Sequence, residues 1–268
     1  MPLPPTPNPA ASFILDLWFA HPPDLADPAV EAACAAILDR AERARAARFH
    51  FDRHRREFIA THALTRVALS HAHPAPPQSW NFSLNAYGKP APALDRGLRF
   101  NQSNSVEMAV CLVARHPSLH AVAPPEVGVD VESFARAQEI VPLAPRVFSD
   151  AERAQLLALP AASRPHRALD LWTLKEAYIK ARGMGLSLPL RSISFLFDEP
   201  HALRLLVEPG VDPDSGRWRF CCFDYAGHRI ALAVESTAAP IVNLFSARPP
   251  LAPPSALALT LPSWSPAS

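Results

Sequence analysis

Hydrophobic and polar residues follow two different repeats along this chain. Residues 53–70 and 165–182 carry apolar side chains three and four positions apart, which predicts two amphipathic helices. The alanine-rich stretch 28–45 also has a helical composition. Strands are predicted by apolar runs at 13–19, 98–101, 105–114, 127–132, 192–197, 217–225 and 228–235. The last two runs flank Ala226-Gly227, so they predict a hairpin.

Local signals indicate where some of these elements begin and end. Ser149 stands three residues before Glu152, which is the spacing of a capping box, so a helix is expected to begin there. Gly183 follows the apolar repeat of residues 165–182 and predicts the end of that helix. Because strands cluster in the sequence instead of alternating strictly with long helices, the pattern favours an α+β fold.

Proline accounts for 31 of the 268 residues and is concentrated at both ends. The ends, residues 1–12 and 246–268, are therefore expected to be flexible or extended tails. Between them, the two stretches each offer helices followed by a pair of apolar strands, with Pro124 and Pro125 near the joint. We accordingly divide the chain into an N-terminal half, 13–123, and a C-terminal half, 124–245.

Composition narrows the functional classes. The formal net charge of +1 argues against a dedicated nucleic-acid binder, which usually has a large excess of basic residues. No apolar run approaches the roughly 20 residues of a membrane span, and the N-terminus lacks the basic start of a signal peptide. The four cysteines form no paired C-x-x-C motifs. We therefore expect a cytoplasmic protein without a disulfide framework or a structural zinc site.

Two acidic residues mark the predicted strand at 127–132. Asp130 and Glu132 are two positions apart, so their side chains point to the same face of the strand. Two carboxylates on one face are half of a site for a divalent cation such as magnesium. A solvated strand edge explains the same pair when it is considered alone.

The helix at 165–182 supplies further polar groups. Its periodicity places Trp172, Glu176 and Lys180 on one side, opposite an apolar stripe formed by Leu171, Leu174, Tyr178 and Ala181. Glu176 and Lys180 have the i, i+4 spacing of an ordinary surface salt bridge. With Asp130 and Glu132, however, Glu176 would complete a magnesium site, and Lys180 would meet the charge of a phosphate held there.

These residues also carry a family resemblance. The block GVDVE at 128–132, the block WTLKEAYIK at 172–180 and the following GMGL at 183–186 resemble the signature of Sfp-type phosphopantetheinyl transferases. The sequences YGKP at 87–90 and FNQS at 100–103 and the arginine-rich stretch 43–56 resemble motifs upstream of it. The resemblance spans about residues 13–235 and leaves only the proline-rich ends outside.

The resemblance implies a fold and an activity. The fold would be a pseudo-twofold pair of similar α+β subdomains with the active site between them. The enzyme would use Mg²⁺ to move the 4′-phosphopantetheine group of coenzyme A onto a serine of an acyl, peptidyl or polyketide carrier protein. Since one chain would hold both halves of the site, we expect a monomer.

Site residues follow from the same resemblance. Asp130, Glu132 and Glu176 would be the magnesium ligands, Lys180 would contact phosphate, and Glu176 would also serve as the base for the serine. Coenzyme A would be bound by Arg45, Arg56, Lys89, Ser103, Asn104 and Lys180. The chain departs from the family at one of these positions. The family motif Asn-x-Ser-His-Ser is here NQSNS at 101–105, so Asn104 stands where a histidine usually meets the 3′-phosphate.

Other functional classes have weaker support in the sequence. No Gly-x-Ser-x-Gly elbow, His-Glu-x-x-His motif or P-loop occurs in it. The arginine-rich stretch 43–56 is compatible with a non-enzymatic module that binds an acidic partner or RNA. A magnesium-dependent nucleotide phosphohydrolase would use the same carboxylates without a protein acceptor.

Overall fold

The computed structural model describes residues 13–94, 96–116, 123–198, 202–237, 240–247 and 254–265. The proline-rich stretch 1–12 lies outside the described residues. The helices are α1 (Pro28–Ala36), α2 (Arg40–Ala46), α3 (Asp52–Ala72), α4 (Ala137–Ile140), α5 (Ala144–Val147), α6 (Asp150–Ala158) and α7 (Arg164–Arg182). Among these helices, none combines the length and the apolar content that a membrane crossing requires.

The strands form two larger sheets and two short ribbons. In chain order they are β1 (Ile14–Ala20), β2 (Phe82–Leu84), β3 (Pro90–Pro92), β4 (Leu98–Ser105), β5 (Met108–Arg115), β6 (Val127–Ser133), β7 (Ile193–Asp198), β8 (Ala202–Val207), β9 (Trp218–Tyr225), β10 (His228–Glu235), β11 (Ile241–Ser246) and β12 (Ser255–Ala256). The five-stranded sheet has the order β12-β11-β1-β5-β4, and the three-stranded sheet has the order β6-β10-β9. Strands β2 and β3 pair with each other, as do β7 and β8.

The same connectivity occurs twice along the chain. In the first half, β1 pairs antiparallel with β5, the second strand of the β4–β5 hairpin. In the second half, β6 pairs antiparallel with β10, the second strand of the β9–β10 hairpin. The long helices α3 and α7 each connect the first strand to the hairpin region and pack on their own sheet. This repeat confirms the expected pair of similar α+β units.

A glycine allows the second long helix to approach its sheet. A Cβ added at Gly128 in β6 would lie 2.0 Å from the carbonyl oxygen of Ala177 and 2.5 Å from the backbone nitrogen of Ala181. Both distances are far below van der Waals contact, so any side chain here would push α7 away from β6. The close crossing brings the middle of α7 next to the residues that follow Gly128.

Most predicted elements are confirmed, with changes at their ends. The stretch 28–45 is two helices, because Asp39 caps a new helix through a capping box with Glu42. The short strand predicted at 98–101 continues to Ser105, and the next strand begins only at Met108. The turn between these strands contains Glu107 with φ of 64°, a left-handed conformation that interrupts an extended run.

The described part of the C-terminal end packs against both sheets. Strand β11 pairs in parallel with β1 of the first half, and β12 pairs with β11. Residues 254–265, here called the C-terminal strap, then cross to the other sheet, where Ser265 and Phe220 exchange two hydrogen bonds of 2.8 and 2.9 Å. Leu257, Leu259, Leu261 and Trp264 pack against the apolar layer between the two sheets. Of the two expected forms, flexible or extended, the structure shows the extended one for these residues, with leucine and tryptophan side chains that are partly buried.

Candidate active site

Helix α7 presents two faces, as its periodicity predicts. Leu171, Leu174, Tyr178 and Ala181 are buried, and Trp172, Glu176 and Lys180 are partly exposed along the opposite side. The helix ends at Gly183, whose φ is 62°. The polar side lies beside β6, where Trp172 contacts Glu132 and Lys180 contacts Asp130.

Strand β4 of the first half meets β6 of the second half through side chains. Asn101 Oδ1 accepts a hydrogen bond of 2.9 Å from the backbone N–H of Val129. Two residues further along, the Ser103 hydroxyl donates to Asp130 at 2.9 Å. The Ser105 hydroxyl then accepts from the Ser133 N–H at 3.1 Å. Since every second residue of a strand faces the same side, three polar groups of β4 cross the joint between the halves.

Lys180, Asp130 and Ser103 form one hydrogen-bonded group at this joint. The ammonium of Lys180 lies 2.6 Å from Asp130 Oδ1 and 2.8 Å from Ser103 Oγ. Asp130 is 4% exposed, and its second oxygen, Oδ2, is buried without a hydrogen-bond partner among the described residues. A buried carboxylate oxygen without a partner is costly, so this atom is available for a cation or a donor from a ligand.

Glu132 is held from two sides. Trp172 Nε1 donates to Oε1 at 2.9 Å, and the guanidinium of Arg136 lies 2.6 Å from Oε2. Burial and the neighbouring charge of Asp130 raise the pKa of Glu132, although Arg136 and Trp172 oppose this shift. The pKa of Glu176 is raised in the same way, by burial and then by the charge of Asp130, and Lys180 opposes the shift. The three carboxylates therefore lie close enough to repel one another.

The arrangement fits a hard cation in part. No three His, Cys, Asp or Glu side chains in the described ranges are gathered tightly enough to hold a metal ion as they stand. Nevertheless, the orphaned Oδ2 of Asp130 and the mutual repulsion of the carboxylates are features that a bound divalent cation would relieve. Carboxylate oxygens are also the ligands that Mg²⁺ prefers in proteins.

A cleft of about 820 Å³ opens above this group. Most of its lining comes from α2, α3 and β4 of the first half, and the second half contributes Asp130 and Lys180. Four of the residues expected to bind coenzyme A line it, namely Arg45, Ser103, Asn104 and Lys180. The volume lies in the range of ordinary small-molecule and cofactor sites.

Two expected coenzyme ligands lie elsewhere. Lys89 and Arg56 are not among the described residues that line the cleft, although Gly88 and Pro90 beside Lys89 are. The ammonium of Lys89 is turned toward Glu126, 2.6 Å away, and the guanidinium of Arg56 lies 3.8 Å from Glu31. The motif containing Lys89 thus reaches the cleft through its backbone, and the lysine side chain points into the joint between the halves.

A buried ion pair holds a charged residue of α7 to which the sequence analysis gave no role. Lys175, within the block at 172–180, is 1% exposed and lies 2.8 Å from Glu152, which is fully buried. Glu152 is the residue of the capping box at Ser149, and its other oxygen accepts from the Phe195 N–H at 2.8 Å. The capping box predicted the helix but not the partner, because the partner is brought there by the packing of α6, α7 and β7.

Comparison with known proteins identifies relatives. Residues 126–233 match the family model described as ACPS, 4′-phosphopantetheinyl transferase superfamily. The chain is 30% identical over 224 residues to the phosphopantetheinyl transferase of Thraustochytrium sp. (strain ATCC 26185 / S-3), an alignment that covers 79% of this chain and 75% of that protein. It is 33% identical to the 4′-phosphopantetheinyl transferase HetI of Nostoc sp., over 57% of this chain and 62% of the length of HetI. A 4′-phosphopantetheinyl transferase of Bacillus subtilis is 29% identical, over 66% of this chain and 75% of that protein.

Solved structures give a weaker likeness. The holo-[acyl-carrier-protein] synthase of Thermotoga maritima superposes with a TM-score of 0.36 and 24% identity, over 41% of this chain and 62% of that chain. The corresponding protein of Bacillus anthracis, solved in complex with CoA (3′,5′-ADP), gives a TM-score of 0.35 and 18% identity, over 41% of this chain and 96% of that one.

Proposed function

Because the chain belongs to the 4′-phosphopantetheinyl transferase superfamily, we propose that it transfers the 4′-phosphopantetheine arm of coenzyme A to a serine hydroxyl of a carrier protein. The observation that carries this proposal is the hydrogen-bonded group of Lys180, Asp130 and Ser103 at the floor of the cleft. A cation and an orphaned carboxylate oxygen meet there, which is what a phosphate ester and its counter-ion require. The acceptor would be an acyl, peptidyl or polyketide carrier protein.

The reaction replaces one phosphorus–oxygen bond by another. The serine oxygen of the carrier forms a bond to the phosphorus that bears the pantetheine arm. The bond between this phosphorus and the bridging oxygen of the pyrophosphate breaks, and its electron pair leaves with 3′,5′-ADP. The proton of the serine hydroxyl passes to a base on the enzyme. Charge therefore develops on the phosphate oxygens and on the leaving group.

Two residues of α7 are suited to these tasks. Lys180 ends in a compact ammonium at the cleft, where it would stabilise the charge that develops on the phosphates. Glu176 lies one helical turn before it on the same side of α7, and it is the residue that we assign as the base for the serine hydroxyl. When no cation is bound, burial and the neighbouring carboxylates raise the pKa of Glu176, and Lys180 opposes this shift.

Asp130, Glu132 and Glu176 would hold the Mg²⁺. When bound, the ion supplies neutralising charge to the phosphate oxygens of the substrate. The protein prepares this site by fixing Glu132 between Trp172 and Arg136 and by leaving Asp130 Oδ2 without a partner among the described residues. Ser103 orients Asp130 from the first half, so that both halves contribute to the site.

A product analysis distinguishes transfer from hydrolysis. The protein is incubated with coenzyme A, MgCl₂ and an unmodified carrier protein, and a second reaction contains the carrier with its acceptor serine replaced by alanine. We expect the carrier to gain the mass of the phosphopantetheine arm as 3′,5′-ADP is released in equal amount, and neither product with the alanine carrier. Release of 3′,5′-ADP without a carrier would instead identify a phosphohydrolase. If neither the modified carrier nor 3′,5′-ADP forms and a separate binding assay shows that the protein binds RNA, the protein would be a binding module.

A further inference from the structure

A turn of the first half holds the C-terminal end of helix α7 in the second half. The ammonium of Lys89 donates to the carbonyl oxygen of Ala181 at 2.8 Å. The side-chain amide of Asn85 donates to the carbonyl oxygen of Gly183, also at 2.8 Å. These carbonyls belong to the end of a helix, where backbone acceptors lack partners within the helix and where a positive charge is favourable. Residues 85–89, here called the clamp turn, therefore cap α7 from the opposite half.

The ammonium of Lys89 has no hydrogen left for a phosphate. An ammonium carries three N–H donors. Besides Ala181, Lys89 lies 2.6 Å from Glu126 Oε2 and donates to the carbonyl oxygen of Val127 at 3.3 Å. Its side chain is 14% exposed, and Glu126 is also held by Arg99 at 3.2 Å. To contact a phosphate, Lys89 would have to break at least one of its contacts with Glu126, Val127 and Ala181.

Asn85 both shapes the clamp turn and links it to the helix. Its Oδ1 accepts hydrogen bonds of 2.9 Å from the backbone N–H groups of Tyr87 and Lys89, and its Nδ2 is thereby aimed at Gly183. Gly183 itself has φ of 62°, and a Cβ there would come within 2.7 Å of Lys89 Cδ. Glycine is therefore favoured at position 183 for two reasons: its backbone is left-handed, and the clamp turn leaves little room for a side chain.

The helix end that is held in this way carries the phosphate-binding lysine. Lys180 precedes Ala181 directly, and its ammonium reaches Asp130 at 2.6 Å. A shift of the last turn of α7 would displace Lys180 from Asp130 and Ser103. Misplacement of a reacting group by about 1 Å can cost about 100-fold in rate.

We propose that Lys89 and Asn85 are positioning residues, which fix the end of α7 across the joint between the halves so that Lys180 lies where the phosphates bind. This inference rests on the proposed function. It also assigns Lys89 a role different from the one implied by the family resemblance, which places it among the ligands of coenzyme A. The backbone of the clamp turn still lines the cleft through Gly88.

Variants of Lys89 and Asn85 distinguish a positioning role from direct binding of coenzyme A. Lys89→Met keeps the aliphatic stem but removes the charge and all three donors. Asn85→Asp keeps the oxygen that accepts from Tyr87 and Lys89 but places a carboxylate against the carbonyl of Gly183. The kinetic constants of wild type and both variants are measured with coenzyme A and with 3′-dephospho-coenzyme A, after circular dichroism has shown that each variant is folded at the assay temperature.

We expect both variants to lower kcat by about 10- to 100-fold, with KM for coenzyme A changed by no more than about twofold. The preference for coenzyme A over its dephospho form should stay that of wild type, because Lys89 does not touch the 3′-phosphate. Lys89→Arg should recover part of kcat, since a guanidinium also donates to Glu126 and Ala181. A large rise in KM with loss of the 3′-phosphate preference in Lys89→Met would overturn the proposal and make Lys89 a coenzyme ligand.

Amide hydrogen exchange tests the contact between the clamp turn and α7 without any enzymatic assay. If wild type transfers no phosphopantetheine, the proposed function fails, but the clamp is still measurable. Backbone amides at the C-terminal end of α7 should exchange about tenfold faster in Lys89→Met and Asn85→Asp than in wild type, with the amides of α3 unchanged. Unchanged exchange at the end of α7 would contradict the clamp itself.

Discussion

Ser103 and Asp130 belong to different halves of the chain, and the hydroxyl of Ser103 donates a hydrogen bond of 2.9 Å to Asp130 Oδ1. The same carboxylate oxygen lies 2.6 Å from Lys180. The orientation of Asp130, and with it the direction of its unpaired Oδ2, is therefore set jointly by β4 of the first half and α7 of the second. The candidate active site depends on the docking of the two halves.

Ser103→Ala tests this docking contact. The variant removes one hydrogen bond, worth about 1 kcal/mol of stability, and leaves Lys180 as the side chain that still orients Asp130 among the described residues. We expect kcat/KM for transfer to fall by about 5- to 10-fold, which corresponds to about 1–1.4 kcal/mol. Ser83→Ala, an exposed serine on β2, is the matched control and should behave as wild type. Equal activity of the two variants would show that the contact does not orient Asp130.

Lys180→Ala tests the role of the ammonium. Removal of a charged donor from the site of developing charge should lower kcat by about 100- to 1000-fold, because the ammonium of Lys180 is the cation that pairs with Asp130 at the cleft. Lys180→Arg should recover only part of the rate, since a planar guanidinium does not place its charge as a compact ammonium does. The comparison uses steady-state kinetics and the melting temperature of each variant. A defect confined to the melting temperature would mean that Lys180 serves only in a salt bridge with Asp130.

Gly128→Ala tests the close crossing of β6 and α7. The added methyl carbon would meet the backbone of Ala177 at 2.0 Å, and backbone atoms cannot rotate away as a flexible side chain would. We expect a loss of unfolding free energy at the upper end of overpacking effects, about 3 kcal/mol, together with reduced transfer, because α7 carries Glu176 and Lys180. Chemical denaturation measures the first effect. Gly210→Ala is a control for glycine replacement, since nothing lies within 4 Å of its added Cβ, although its positive φ makes a small loss expected there too.

The pH dependence of stability should report on Asp212. Burial alone would raise the pKa of Asp212, but hydrogen bonds from Tyr178, Arg217 and Trp218 outweigh it and hold the pKa below its usual range. In the unfolded chain the pKa of an aspartate is about 3.9. The stabilisation from these contacts is therefore fully present above pH about 4 and is lost as the pH falls through the lower folded value.

Asp212→Asn removes this titration. We expect the variant to be less stable than wild type at pH 7 and the difference in melting temperature to narrow below pH about 4. Asp198→Asn, an exposed residue paired with Arg204, is the control for loss of a surface carboxylate. A difference between Asp212→Asn and wild type that stays constant from pH 7 to pH 3 would show that folding does not lower the pKa of Asp212.

Much of the fold could be predicted because the signals are local. The two faces of α7 follow from a period of 3.6 residues, and the end at Gly183 follows from the left-handed conformation that glycine readily adopts. The pairing of β11 with β1 could not be predicted in this way, since it joins residues such as Ile14 and Ile241 from opposite ends of the chain. The packing of the C-terminal strap could not be predicted for a related reason. Its prolines indicate irregular backbone, whereas its partial burial depends on the sheets that it crosses.

In the candidate site, too, features set by local sequence could be predicted, and features set by contacts between distant residues could not. The alternation of a strand was enough to place Asp130 and Glu132 on one face, and the structure shows both close to the polar side of α7. The destination of the Lys89 side chain could not be predicted, because the acceptors at Glu126, Val127 and Ala181 come together only after the halves dock. The same holds for Lys175, whose partner Glu152 lies on another helix.

We propose that phosphopantetheine transfer takes place at the joint between the halves and depends on Asp130. The most direct test is the intact mass of a carrier protein after incubation with coenzyme A, MgCl₂ and either wild type, Asp130→Ala or the surface control Asp198→Asn. We predict that wild type and Asp198→Asn add one phosphopantetheine arm to the carrier, and that Asp130→Ala, folded by circular dichroism, adds none in the same time. Transfer by Asp130→Ala at the wild-type rate would contradict this assignment of the active site.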